Sequence, residues 1–178
     1  ANEFWSPKQA IRRVCEMEEH FDLFWVEEPA RRWDTNGLRQ VSRGIKAAVA
    51  TGENLHHIGD YMSLIGNDAI DIVQFGSGGC AGFTGALYLA GMAHGFEKPV
   101  SVIGGPGHFA AHVAASLPNH NMMEVKDLTT PACWSTSTRI EDGWIVLGNE
   151  PGLGITVHEE KLREMQANPL VSKGGAGR

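Results

Sequence analysis

The chain alternates short apolar runs with amphipathic stretches. Ser6-Pro7-Lys8-Gln9 opens the first helix: serine caps, proline suits the first helical position, and Gln9 stands where a capping box takes Glu or Gln. Ile11, Val14, Cys15 and Glu18 follow at helical spacing. Phe21 to Val26 then reads as a strand. Leu38, Val41 and Ile45 mark a second helix, and a strand is expected from Lys46 to Ala50. A third helix carries Tyr61, Leu64 and Ile65. Ile70 to Phe75 is the clearest strand, and a small-residue helix follows from Gly82 to Ala93. A strand from Val100 to Ile103, a short helix from His108 to Ser116 and a strand from Met122 to Val125 complete the alternation.

These strands end about 20–30 residues apart, as expected when each parallel strand returns through a crossover helix. The fold class is therefore α/β, with about five parallel strands. After Val125 the pattern changes. Ile140 to Leu147 reads as a hairpin about the Asp142-Gly143 turn, Pro151 to Ile155 as a connector, and His158 to Met165 as a terminal helix. Two architectures fit the alternation: part of a (β/α) barrel or a doubly wound open sheet. A full barrel takes about 250 residues. The barrel reading thus expects sequence ahead of Ala1-Asn2-Glu3, and the chain is expected to be a fragment.

Composition narrows the function classes. A chain of 178 residues, 42% hydrophobic, suffices for one compact domain with a core. The net charge of -6 offers no basic stripe to neutralise phosphates, so nucleic acid is not an expected partner. Cys15, Cys80 and Cys133 form no paired motif, which suits a reducing cytoplasm. No apolar run approaches the length of a membrane span.

The candidate chemistry sits at strand ends. Glu27, in Trp25-Val26-Glu27-Glu28-Pro29, and Glu53, in Thr51-Gly52-Glu53-Asn54, each close an apolar run about one βα unit apart. In a parallel barrel these ends are neighbours on the catalytic rim. Two carboxylates converging there repel, and a hard divalent cation resolves the repulsion. Glu124 ends the last apolar stretch and is expected at the same rim. His108 follows the glycine-rich Gly104 to Gly107 and is a candidate proton shuttle or substrate contact; His56 and His57 follow Glu53 closely. Gly76-Ser77-Gly78-Gly79-Cys80-Ala81 fits a dinucleotide-loop pattern, but the next strand ends Ile103-Gly104 without the acid that pattern carries.

The ordered set Ala1-Asn2 with Trp5-Ser6, Trp25 to Pro29, Gly52-Glu53-Asn54, Asp71-Ile72-Val73-Gln74, Gly82 to Gly85 and Pro151 to Ile155 resembles the C-terminal barrel domain of the enolase superfamily, mandelate racemase-like branch. The resemblance covers nearly all of residues 1–178 and implies a partial TIM-like (β/α)7β barrel whose N-terminal capping domain and first strands are missing. It implies Mg²⁺ held by three acidic residues. Glu27 and Glu53 match the second and third, and the first would be an aspartate just before Ala1. Proton abstraction next to a carboxylate, through a metal-stabilised enediolate, is the implied chemistry. Acid-sugar dehydration is the first expected outcome and racemisation or epimerisation the second. Asn2 and Asn54 are the implied substrate contacts, and Glu124 matches a glutamate that touches substrate. The places of the branch's usual aspartate and histidine hold Gly76 and Ile103-Gly104, which leaves open a non-catalytic relative that binds metal and carboxylate. The expected partner is a small carboxylate such as an acid sugar. The full-length protein is expected to form a homo-oligomer, and this chain alone is expected to be inactive.

Overall fold

The computed structural model describes residues 1–76, 80, 82–104, 109–125 and 131–167. The chain divides into two compact units, Ala1–Ile103 with Val113–Glu124, and Gly104–His112 with Val125–Arg178.

The first unit is built on one parallel sheet. Its strands are β1 (Trp25–Glu27), β2 (Ala48–Thr51), β3 (Ile72–Gly76), β4 (Val100–Ile103) and β5 (His120–Glu124), paired in the order β1-β2-β3-β4-β5. Helices α1 (Pro7–Glu18), α2 (Thr35–Gly44), α3 (Ile58–Gly66) and α4 (Gly82–Gly95) precede or link them, and of α5 (Phe109–Ser116) the part from Val113 onward belongs to this unit. The expected capping box is present: Ser6 accepts from the Gln9 amide, and the Gln9 side chain accepts from the Ser6 amide. Strand order equals chain order, without the reversal that creates a doubly wound fold's switch point. That excludes the open-sheet alternative and leaves a partial barrel.

Register places Trp25, Glu27, Ala48, Ala50, Ile72, Gln74, Gly76, Ser101, Ile103 and Glu124 on one face. Val26, Val49, Thr51, Val73, Phe75, Val100 and Val102 alternate onto the other. Apart from Thr51 and His120, which pairs with Val100 from β5, that second face is apolar, and on β2, β3 and β4 it is buried, as crossover helices require. The mixed face carries the polar side chains. Asp71 ties two strands together at their start: its carboxylate accepts from the Val49 amide at 2.8 Å and the Ser42 hydroxyl at 3.1 Å.

β1 is shorter than the Phe21–Val26 run expected. Phe21 and Phe24 are apolar but exposed, so only Trp25 onward joins the ladder. β2 and β3 begin two residues late and run one residue past their expected ends, which brings Thr51 and Gly76 into the sheet.

In the second unit, β7 (Arg139–Glu141) and β8 (Trp144–Val146) form the expected antiparallel hairpin. Asp142 and Gly143 have φ of 49° and 81°, the two left-handed positions of a type I′ turn. β6 (Trp134–Thr136) pairs antiparallel with β9 (Ile155–Val157), and α6 (Glu159–Ala167) is the terminal helix. Among the described residues no helix is long and apolar enough to cross a membrane.

Candidate metal centre

Three carboxylates meet at the C-terminal rim of the parallel sheet. Glu27 is the last residue of β1, Glu124 the last of β5, and Glu53 lies just beyond β2. Each offers an oxygen, and these oxygens all lie within 4.8 Å of one another; all three residues are half-buried. In a flat sheet β1 and β5, four strand steps apart, would be about 19 Å apart at ~4.8 Å per step. The convergence therefore requires the sheet to curl, and curl is what a barrel wall has.

Gly52 steers Glu53 into the group. Its φ is 140°, and a Cβ there would stand 2.1 Å from the Gln74 carbonyl oxygen and 2.6 Å from the Tyr61 ring. Its own carbonyl oxygen accepts from the buried Tyr61 hydroxyl at 2.7 Å and from the Leu55 amide at 3.0 Å. Burial pushes the Tyr61 phenol far above its ordinary range, so it remains a donor at any physiological pH.

Gln74 is fully buried, and its Nε2 donates to Glu27 Oε2 at 2.7 Å. Its Oε1 and the Ser101 hydroxyl beside it in register are buried without a partner among the described residues. Glu28, unlike Glu27, is turned inward and fully buried. Asn54 Nδ2 donates to both of its carboxyl oxygens, at 2.9 and 3.1 Å. Burial raises the Glu28 carboxyl above the ordinary carboxylate range. The Asn54 bonds pull it partly back, and the charges of Glu53, Glu3 and Glu27 raise it further. Its backbone is fixed as well, with φ of 44°, an amide donating to the Ala50 carbonyl and a carbonyl accepting from the Glu3 amide.

The chain's first residues run beside this rim. The Ala1 amine donates to the Glu27 carbonyl at 2.5 Å, and exposed Asn2, with φ of 51°, stands between Ala1 and Glu3. Glu3 is nearly buried and pairs with Arg32, and the Arg31 and Arg32 guanidinium groups both pack on the Trp33 ring.

Of the residues expected to act, Glu27, Glu53 and Glu124 come together. Asn54 lies beside them with its amide engaged by Glu28. His57 caps α3, its Nδ1 accepting from the Gly59 amide at 3.0 Å. His108 and most of the Gly76 to Ala81 loop lie outside the described residues. Gly76 and Ile103 occupy the rim ends of β3 and β4 and present no acid or base there. Glu28 and Gln74 had not been singled out as site residues. The doubled acid in Glu27-Glu28-Pro29 was the available signal, but only the strand register tells which of the two faces the rim.

The donor set fits a hard divalent cation. Every ligand atom is a carboxylate oxygen, the class that suits Mg²⁺, Ca²⁺ or Mn²⁺. Oxygens on opposite sides of a Mg²⁺ at 2.0–2.1 Å lie about 4 Å apart, so separations within 4.8 Å need only a small contraction.

Comparison with known proteins agrees with this geometry. The family model for enolase C-terminal domain-like proteins matches residues 1–161. The chain is 28% identical over 170 residues to L-talarate/galactarate dehydratase of Salmonella typhimurium, covering 93% of this chain and 41% of that protein. It is also 28% identical to the L-Ala-D/L-Glu epimerase of Clostridium acetobutylicum, over 87% of this chain and 46% of that one. A crystal structure of an enolase from Bradyrhizobium, complexed with magnesium and mandelic acid, superposes with a TM-score of 0.80 at 28% identity, covering 92% of this chain and 44% of that one. The chain thus spans less than half the length of the relatives it matches.

Proposed function

The chain belongs to the enolase C-terminal domain-like family, and from that premise we propose that it carries the Mg²⁺ site of an enzyme that removes the proton next to a substrate carboxylate. The observation that carries the reading is the meeting of Glu27, Glu53 and Glu124. Glu27 and Glu53 hold the ion. When bound, Mg²⁺ supplies positive charge against the negative charge that develops on the substrate carboxylate as the α-proton leaves. Gln74 holds Glu27 through its second oxygen and so orients the other toward the ion. In this reading Glu124, from the far strand of the sheet, is the substrate contact.

Dehydration of an acid sugar is the outcome we favour, supported by the similarity to a talarate/galactarate dehydratase. The similarity to an epimerase favours reprotonation of the same intermediate as the second reading. Gly76 and Ile103 supply no base, and in either reading the base comes from elsewhere, His108 being the candidate within this chain.

The test is Mn²⁺ and Mg²⁺ binding to the 178-residue chain, with a screen of aldonic and aldaric acids for loss of water run on the full-length protein. Weak binding that Glu27→Gln abolishes is the expected result. Equal binding by the wild type and Glu27→Gln would refute the assignment.

A further inference from the structure

Each residue that follows a candidate ligand is committed to the other. Glu27 and Glu53 converge on the cation position, while their chain neighbours Glu28 and Asn54 are joined by two hydrogen bonds of 2.9 and 3.1 Å. The β1 and β2 rim loops are thus linked through this pair of side chains as well as through the prospective ion. We propose that the Glu28–Asn54 pair is a positioning tether that sets the spacing of Glu27 and Glu53, and that Asn54 serves the site through Glu28 rather than by contact with substrate.

Several observations converge on this role. Glu28 is wholly enclosed while the candidate ligands Glu27 and Glu53 are only half-buried, so its carboxyl has no route to solvent. Both of its oxygens are taken by one amide. Its backbone is held at both ends, amide to Ala50 and carbonyl to Glu3, in a left-handed conformation that a non-glycine residue adopts only under external constraint. Asn54 follows Gly52 and Glu53 on a loop pinned by Tyr61 and Leu55, with its side chain reaching back to Glu28. Cutting the pair frees the two loops to move apart under the mutual repulsion of their carboxylates, and a cation then has to draw them back together. Outer-shell partners of this kind typically contribute about 10–100-fold in metal affinity.

The inference rests on the cation reading of the rim, and its test separates the two. Mn²⁺ binding to the 178-residue chain is followed by loss of the free-ion electron paramagnetic resonance signal, for wild type, Asn54→Ala, Glu28→Ala, Glu28→Gln and the double alanine variant. Circular dichroism establishes that each is folded. The expected result is a loss of about tenfold in Mn²⁺ affinity for Asn54→Ala and for Glu28→Ala, with no further loss in the double variant. Glu28→Gln retains an acceptor for the Asn54 amide and is expected to bind within about threefold of wild type. Should Glu28→Ala fail to fold, Asn54→Ala and Glu28→Gln still decide the matter. Affinities of Asn54→Ala and Glu28→Ala within twofold of wild type, or losses that multiply in the double variant, overturn the tether and leave the cation site standing. No Mn²⁺ binding by wild type overturns both.

Discussion

Replacing Gly52 by alanine tests the way the rim is built. The new Cβ would lie 2.1 Å from the Gln74 carbonyl oxygen, 2.6 Å from Tyr61 Cε1 and 3.1 Å from the Gln74 carbonyl carbon. Two of these atoms are backbone of β3, the central strand, so no rotamer change relieves the contact. The φ of 140° lies where side-chain-bearing residues rarely go, which costs about 2 kcal/mol. Displacing strand or ring costs about 2 kcal/mol more. The expected loss is about 4 kcal/mol, a large share of the 5–15 kcal/mol typical of a folded domain. Urea unfolding followed by tryptophan fluorescence measures it. With a slope near 2 kcal/mol per molar urea, the midpoint should fall by about 2 M. Whatever protein remains folded should bind Mn²⁺ more weakly, because Glu53 is the next residue. A loss below about 1 kcal/mol would show that β2 and β3 do not approach as described. Gly91→Ala is the internal control: nothing lies within 4 Å of its Cβ position in α4. It should gain about 0.5–1 kcal/mol from helix propensity.

Other substitutions address separate parts of the first unit. Asp71→Ala removes the acceptor of the Val49 amide and the Ser42 hydroxyl; a loss of about 2 kcal/mol is expected in the same unfolding experiment. His120, in β5, has its imidazole pKa lowered by burial, partly offset by a backbone hydrogen bond at Met122. The unfolded chain therefore takes up the proton first. Stability should decline as pH falls through about 6.5 and level off below the folded-state value. His120→Gln should flatten that slope in unfolding curves compared at pH 5 and 7.5; an unchanged slope would assign the pH dependence to other groups.

Strand β4 was legible to the residue, because it is buried on both faces and Val100, Val102 and Ile103 carry an apolar signal that the small Ser101 barely interrupts. Phe21 and Phe24 carried the same signal without burial, and β1 was accordingly overextended. The three-residue strands β6 and β9 were invisible because no tight Asp-Gly turn joins them to mark the pairing, as one does for the equally short β7 and β8. At the rim, Glu27, Glu53 and Glu124 could be found because each closes an apolar run. The tasks of Glu28 and Asn54 could not, since they follow from which way a side chain turns after a strand ends. His57 shows the converse: a polar residue near the site whose side chain is used by its own helix.

The order of strands along the sheet has a consequence in time. Each strand pairs only with those formed just before or after it, so a nascent chain can lay down β1, β2, β3 and β4 as they emerge. Glu27 and Glu53 are then available early, but Glu124 arrives with the last strand, on the order of several seconds later at ordinary rates of synthesis. Only when β5 docks and the sheet curls do three carboxylates face one another. An ion held by Glu27 and Glu53 can thus be captured before the sheet is complete, so its binding energy acts on the β1–β2 stage as well as on the finished unit, whereas the substrate contact of Glu124 waits for β5.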